Sequence, residues 1–247
     1  MVAAYLTKPP IVLASGSKVV VARWDAVVFD LDGTLVDTAP DLHAHLNEML
    51  ADLGRPGFAL EDVRPMIGDG ARMLLRRGLD ASGGMPEGVD IEALFAEFLR
   101  RYTARPLRFG ATFDGVEAAL EALARAGTKL GVCTNKPQAP TDRLLAELDL
   151  ARHFPVVIGG DSLTVRKPDP GHLQAVLDRL GARPGRAVLV GDSANDVCAA
   201  AATGVPCVLV SFGYTQIPAR ALGAAHVIDH MSELPGALAS LPEAHKA

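Results

Sequence analysis

The sequence predicts an α/β protein, a parallel Rossmann-like sheet carrying an inserted helical cap domain, and three observations predict it. Short β-branched runs apolar on both faces recur, stretches with helical spacing lie between most of them, and one interval is far too long for a crossover. Strands of this kind alternating with helices imply parallel pairing through right-handed connections. The runs are 26–29 (AVVF), 129–133 (KLGVC), 156–158 (VVI), 187–190 (AVLV), 207–210 (CVLV) and the short 227–228. Val116, Leu120 and Leu123 give the helical stripe before the second run, and Leu173, Val176, Leu177 and Leu180 the one before the fourth.

Between the first run and the second lie roughly a hundred residues, where a crossover with its helix needs about a dozen. That interval reads as four to five helices. Leu42, Leu46, Met49, Leu50 and Leu53 align over 39–53; a second helix covers about 71–79; and Ile91, Leu94, Phe95, Phe98 and Tyr102 align over 91–102. Thr38 followed by Asp41 resembles a capping box, and Gly54 stands just past the end of the same helix. The expected organisation is an extension over 1–23, a core formed by 24–37 and 112–247, and a cap over 38–111.

Composition bounds the function. The 247 residues carry 24 basic and 29 acidic side chains, a net charge of −5, and 49% are apolar. That is a folded chain without the basic stripe a nucleic-acid protein needs, and no window approaches the ~18 uninterrupted apolar residues of a membrane span. Cys133, Cys198 and Cys207 are odd in number, and two fall in strand-like runs, so they read as reduced thiols and a cytoplasmic location is expected. Near the N-terminus a lysine, small residues and an apolar stretch are present, but the apolar run is only 11–14 and Pro9-Pro10 precede it, against a secretory leader. Oligomeric state, monomer or homodimer, is not readable.

In a parallel sheet the ligand site lies beyond the carboxyl ends of the strands. The first run ends in Asp30-Leu31-Asp32-Gly33-Thr34, the second in Thr134-Asn135-Lys136, the third in Gly159-Gly160-Asp161, the fourth in Gly191-Asp192-Ser193-Ala194-Asn195-Asp196. One aspartate after a strand is ordinarily a turn former or helix cap. Asp30, Asp32 and Asp192 at one edge would repel unless a cation sat among them, and hard oxygen donors in an incomplete cage suit Mg²⁺. Lys167, just before the proline-initiated helix at Pro170, adds positive charge where a helix start already favours an anion.

The segments FDLDGTLVDT (29–38), VCTNK (132–136), RKPDP (166–170) and VGDSANDVCAA (190–200) resemble the four ordered motifs of the haloacid dehalogenase superfamily, over about 24–241. Within it, the chain is most similar to the bacterial phosphoglycolate phosphatases through VRPMIGDG (63–70) and SFGY (211–214) with Leu222-Gly223-Ala224. The resemblance implies a phosphatase of small phosphate monoesters, with Asp30 as nucleophile forming an aspartyl-phosphate. Asp32 would protonate the leaving alkoxide and then activate water, and Mg²⁺ would be held by Asp30, Asp192 and the backbone carbonyl of Asp32. Thr134 and the Asn135 amide would grip the phosphoryl group, and Gly33 would form the tight turn beside it. Asp196 would orient Lys167 or a metal-bound water, or serve only as a helix-start acid.

Asp32 argues against a dehalogenase, and the absence of any lysine from 38 to 112, among nine arginines, argues against a Schiff-base phosphonatase. For the substrate carboxylate, Arg72, Arg64 or the backbone amides of the turn between them are the options. Two alternatives stand beside the leading reading. One is a sugar-phosphate mutase or broad-range sugar phosphatase on the same fold. The other is a receiver-type switch, disfavoured by Asp32 and the cap. His43 with His45 and His226 with His230 are poorly spaced for a shared metal.

Overall fold

The computed structural model describes residues 11–12, 18–19 and 23–242, so most of the expected 1–23 extension lies outside the described residues. The first described elements are β1 (Ile11–Val12) and β2 (Lys18–Val19), an antiparallel pair. The main sheet has six strands, all parallel. They are β3 (Ala26–Phe29), β6 (Lys129–Cys133), β7 (Val156–Ile158), β8 (Ala187–Gly191), β9 (Cys207–Val210) and β10 (His226–Ile228), in the order β10-β9-β8-β3-β6-β7. The first run is thus central, with all four residues buried.

Each strand's two faces feed different layers, as a period of two requires. Val27, Phe29, Val132 and Val190 pack with α5 (Val116–Arg125), α6 (Gln138–Glu147) and α9 (Leu234–Ser240). Ala26, Val28, Cys133 and Leu189 pack with α7 (Pro170–Leu180) and α8 (Ala194–Thr203). Cys133 and Cys207 are buried free thiols, and desolvation pushes the Cys133 thiol up to about 12, so it stays protonated. Among the described residues no helix is long and apolar enough to cross a membrane.

The long interval folds as α1 (Ala39–Asp52), the short α2 (Leu60–Val63), α3 (Ala71–Ala81) and α4 (Ile91–Ala104), which build an apolar core of their own around Leu46, Leu50, Leu75, Leu79, Phe98 and Tyr102. The chain leaves the core along β4 (Val36–Asp37) and returns along β5 (Ala111–Thr112), and these two pair antiparallel. Here the structure corrects the capping-box expectation. The Thr38 hydroxyl donates instead to Asp32 Oδ1 at 2.7 Å. The Asp41 carboxylate turns away from its own helix and accepts from the backbone N–H groups of Arg108, Phe109 and Gly110 at 2.6, 3.1 and 2.8 Å. A buried carboxylate satisfied by three amides of the returning segment fixes where the insert rejoins the sheet.

Candidate active site

Parallel register sets the site. Phe29 pairs with Val132 on one side and Val190 on the other, so Asp30, Thr134 and Asp192 leave the sheet at the same edge. Asp30, Asp192 and Asp196 are all buried, each with a carboxylate oxygen within 4.8 Å of the others'. The Lys167 ammonium lies among them, 2.6 Å from Asp196 Oδ1 and 3.0 Å from Asp30 Oδ1.

Asp196 is spent on holding this arrangement. Its Oδ1 accepts from Lys167, and its Oδ2 accepts from the Ser193 hydroxyl at 2.6 Å and from the amides of Ser193 and Asp192 at 3.1 and 3.3 Å. This is also the capping box of α8. Asp192 Oδ2 takes the Tyr214 amide at 2.7 Å. Gly33 makes room for that carboxylate: its φ is +81°, and a Cβ there would stand 2.4 Å from Asp192 Oδ2.

The electrostatics call for a cation. Three carboxylates against one ammonium leave two uncompensated negative charges, which one divalent ion neutralises. Asp30 is pushed up to about 6 by burial, with Asp196 and Asp32 adding to the rise and Lys167 opposing it. Asp192 is raised well above the carboxylate range by burial and then by Asp196 and Asp30. Lys167 is held above its ordinary value by Asp196 and Asp30 despite its burial. Asp30 Oδ1 is buried without an aligned hydrogen-bond donor. Hard oxygen donors and excess negative charge fit Mg²⁺.

Beside the cluster opens a pocket lined by Asp30, Asp32, Thr134, Asn135 and Lys136 from the sheet edge and by Leu42, Ile67, Gly68, Gly70, Ala71, Leu74 and Tyr102 from the insert. Asn135 Nδ2 donates to the carbonyls of Lys167 and Gly68 at 3.0 and 3.1 Å, joining the third motif to the insert. Gly70 is needed for the same closure, because its φ is +88° and a Cβ would meet the Asn135 carbonyl at 2.8 Å. Asn195 continues the seam by donating to Asp69 Oδ1 at 2.8 Å.

The structure therefore brings Asp30, Asp32, Gly33, Thr134, Asn135, Lys167, Asp192 and Asp196 to one edge. Arg72 is a correction. Its guanidinium forms a two-pronged pair with Glu92, stacks 4.6 Å from the Phe95 ring centroid, and does not line the pocket. Arg64 pairs with Asp37 Oδ2 at 3.2 Å and is likewise outside the lining. Among the histidines, His43 Nε2 meets the Phe58 carbonyl at 2.8 Å, and His45 Nε2 the Arg105 carbonyl at 3.0 Å.

Three residues around the site, Lys136 and Tyr102 in the pocket lining and Tyr214 beside Asp192, carried no role in the sequence. Lys136, 3% exposed, donates to Asp32 Oδ1 at 3.0 Å and to the Tyr102 hydroxyl. Tyr102 counted only as one more position of an apolar helical stripe. Tyr214 ties Asp192 to the insert's root, since its hydroxyl donates to Asp37 Oδ1 at 2.7 Å and accepts from the Ala39 amide at 3.0 Å. The signals for Lys136 are its place in the strand-end triplet and in the VCTNK segment, neither of which assigns it a role.

His172 locks the Lys167 loop. Its Nδ1 accepts from the Lys167 amide and its Nε2 faces the Gly159 carbonyl, both at 3.2 Å, so the ring is neutral with its proton on Nε2. Burial, then the Lys167 charge, depress it to about 4. An unfolded histidine, near 6.5, binds its proton first, so the stabilisation is complete above 6.5 and is lost as pH falls from 6.5 to about 4. The full loss is on the order of 3 kcal/mol. Melting curves of wild type and His172→Gln are expected to differ less at pH 4.5 than at pH 7.5; a constant difference would refute this.

Residues 27–210 match the family model described as haloacid dehalogenase-like hydrolase. A phosphoglycolate phosphatase from Caulobacter vibrioides is 45% identical over 215 residues, 87% of this chain and 91% of that protein. A crystal structure of a predicted phosphoglycolate phosphatase from Haemophilus somnus 129PT superposes with a TM-score of 0.81 at 29% identity, over 86% of this chain and 96% of that one. CbbY from Rhodobacter sphaeroides, solved with phosphate, gives a TM-score of 0.72 at 27% identity, over 85% and 96%.

Proposed function

Because this chain belongs to the haloacid dehalogenase-like hydrolase family, we propose that it hydrolyses 2-phosphoglycolate to glycolate and phosphate through a phosphorylated Asp30. It is a Mg²⁺-dependent phosphatase of small phosphate monoesters. The observation carrying the finer reading is the pairing of the Asp30, Asp192 and Lys167 cluster with a small pocket whose insert side offers few polar groups.

A monoester dianion repels an anionic nucleophile, so the site must supply positive charge and alignment. When bound, Mg²⁺ would supply positive charge that screens the phosphoryl oxygens. The Asp30 and Asp192 carboxylates and the Asp32 carbonyl would hold it; Asp196, with both oxygens engaged, positions Lys167 instead. Asp30 attacks phosphorus, the P–O ester bond breaks, and Asp32 passes a proton to the leaving alkoxide. Thr38 and Lys136 both donate to Asp32 Oδ1, which leaves Oδ2 to carry that proton. A water then attacks phosphorus, Asp32 takes its proton, the bond to Asp30 breaks and inorganic phosphate leaves. Thr134 and the Asn135 amide hold the phosphoryl oxygens, and residues 38–111 act as the lid over a core of 24–37 and 112–247.

Leu42, Ile67, Ala71 and Leu74 on the insert side support glycolate over a sugar as the leaving group, since sugar hydroxyls buried there would lack partners. The free thiols of Cys133, Cys198 and Cys207 agree with a cytoplasmic enzyme. A kinetic panel of 2-phosphoglycolate, glucose 6-phosphate, glucose 1-phosphate and p-nitrophenyl phosphate, with Mg²⁺ and with EDTA, tests this. Phosphoglycolate should give the highest kcat/KM and EDTA should abolish turnover; a faster sugar phosphate would contradict the substrate assignment.

A further inference from the structure

Among the described residues lining the pocket, Lys136 is the one cation. Lys167 is occupied behind the sheet edge by Asp30 and Asp196, and none of the insert's nine arginines reaches the lining. An ammonium has three donors. Two are used, by Asp32 Oδ1 at 3.0 Å and by the Tyr102 hydroxyl, which leaves a third in a nearly water-free position. Lys136 comes from the end of β6, whereas Tyr102 comes from α4, so the insert itself helps to hold the charge over the site.

We propose that Lys136, steadied by Tyr102, binds the carboxylate of the substrate and so restricts the enzyme to short phosphomonoesters bearing an acid group one carbon from the ester oxygen. This rests on the monoester reading above and names the group that selects within it. Protonation by Asp32 requires the ester oxygen within hydrogen-bond reach of that carboxyl. In an O–CH2–COO⁻ unit a carboxylate oxygen lies about 3 Å from the ester oxygen, given ordinary bond lengths. A group 3.0 Å from Asp32 Oδ1 is therefore at the right range for the carboxylate of so short an acid. Gly70 and Ala71, at the start of α3, line the same pocket, and the positive end of that helix favours the same charge. An uncharged leaving group would face Leu42, Ile67 and Leu74 and give the spare donor nothing.

The test is the ratio of kcat/KM for 2-phosphoglycolate to that for ethyl phosphate, which matches it in chain length but lacks the acid. Lys136→Gln should lower the ratio by about 100-fold, as expected for losing a buried charge-assisted hydrogen bond. Because Lys136 is buried, Tyr102→Phe provides a second variant, which leaves the ammonium but removes its support and should lower the ratio by about 5-fold. A phosphoglycolate preference that survives both substitutions overturns the proposal alone. A wild-type enzyme with no preference between the two esters overturns the substrate reading and this proposal together.

Discussion

Asp30→Asn is expected to lower kcat for phosphate monoesters by at least about 10⁴-fold, because removing a covalent nucleophile leaves only binding and polarisation. At 25 °C that is roughly 5 kcal/mol of lost transition-state stabilisation. The variant is expected to fold at least as well as the wild type without metal. Asp30 is buried among Asp32, Asp192 and Asp196, and its value of about 6 marks an anion held against desolvation and like charge. A neutral amide of the same shape relieves that repulsion. Steady-state kinetics beside a melting curve separate the two effects, and activity within tenfold of wild type would exclude Asp30 as nucleophile.

Lys167→Met should show the opposite balance, a large loss of both rate and stability. Its ammonium is the cation among Asp30, Asp192 and Asp196 in the metal-free fold, and removing one partner of a buried charge set costs about 3–5 kcal/mol. For a domain of this size that lowers Tm by about 10 °C. The penalty should shrink as pH falls, since the stranded carboxylates take up protons more readily in the folded state than in the unfolded one. It should also shrink on adding Mg²⁺. The rate should drop by about 10²–10³-fold, the usual cost of one preorganised charge contact to a developing anion. A Tm within 2 °C of wild type in EDTA would contradict the charge balance described for the cluster.

The sheet was legible because buried strands cannot hide: AVVF and CVLV have no polar face, and each is followed at once by the residues that leave the sheet edge. The same adjacency exposed Asp30 and Asp192, which need only the parallel register to meet. Contacts between the insert and the core left no local trace. Lys136 and Tyr102 are 34 positions apart, and nothing in a helical stripe distinguishes a tyrosine that packs from one whose hydroxyl holds an ammonium. Arg72 misled for a related reason. Its position beside the Gly68–Gly70 turn pointed to the pocket, whereas its partner Glu92, 20 residues on, draws it to the outer surface. Asp41 looked like a helix-cap acid because its true partners, three amides beginning 67 residues later, are backbone groups that no side-chain pattern announces.

Rapid quenching of the wild-type enzyme with phosphate-labelled 2-phosphoglycolate and Mg²⁺, followed by peptide mapping, examines covalent transfer without relying on a substitution. Acid-stable, base-labile label on the peptide containing Asp30, appearing and decaying within the turnover time, is the predicted result. Full turnover with no label on that peptide, or label carried by another carboxylate, would contradict it.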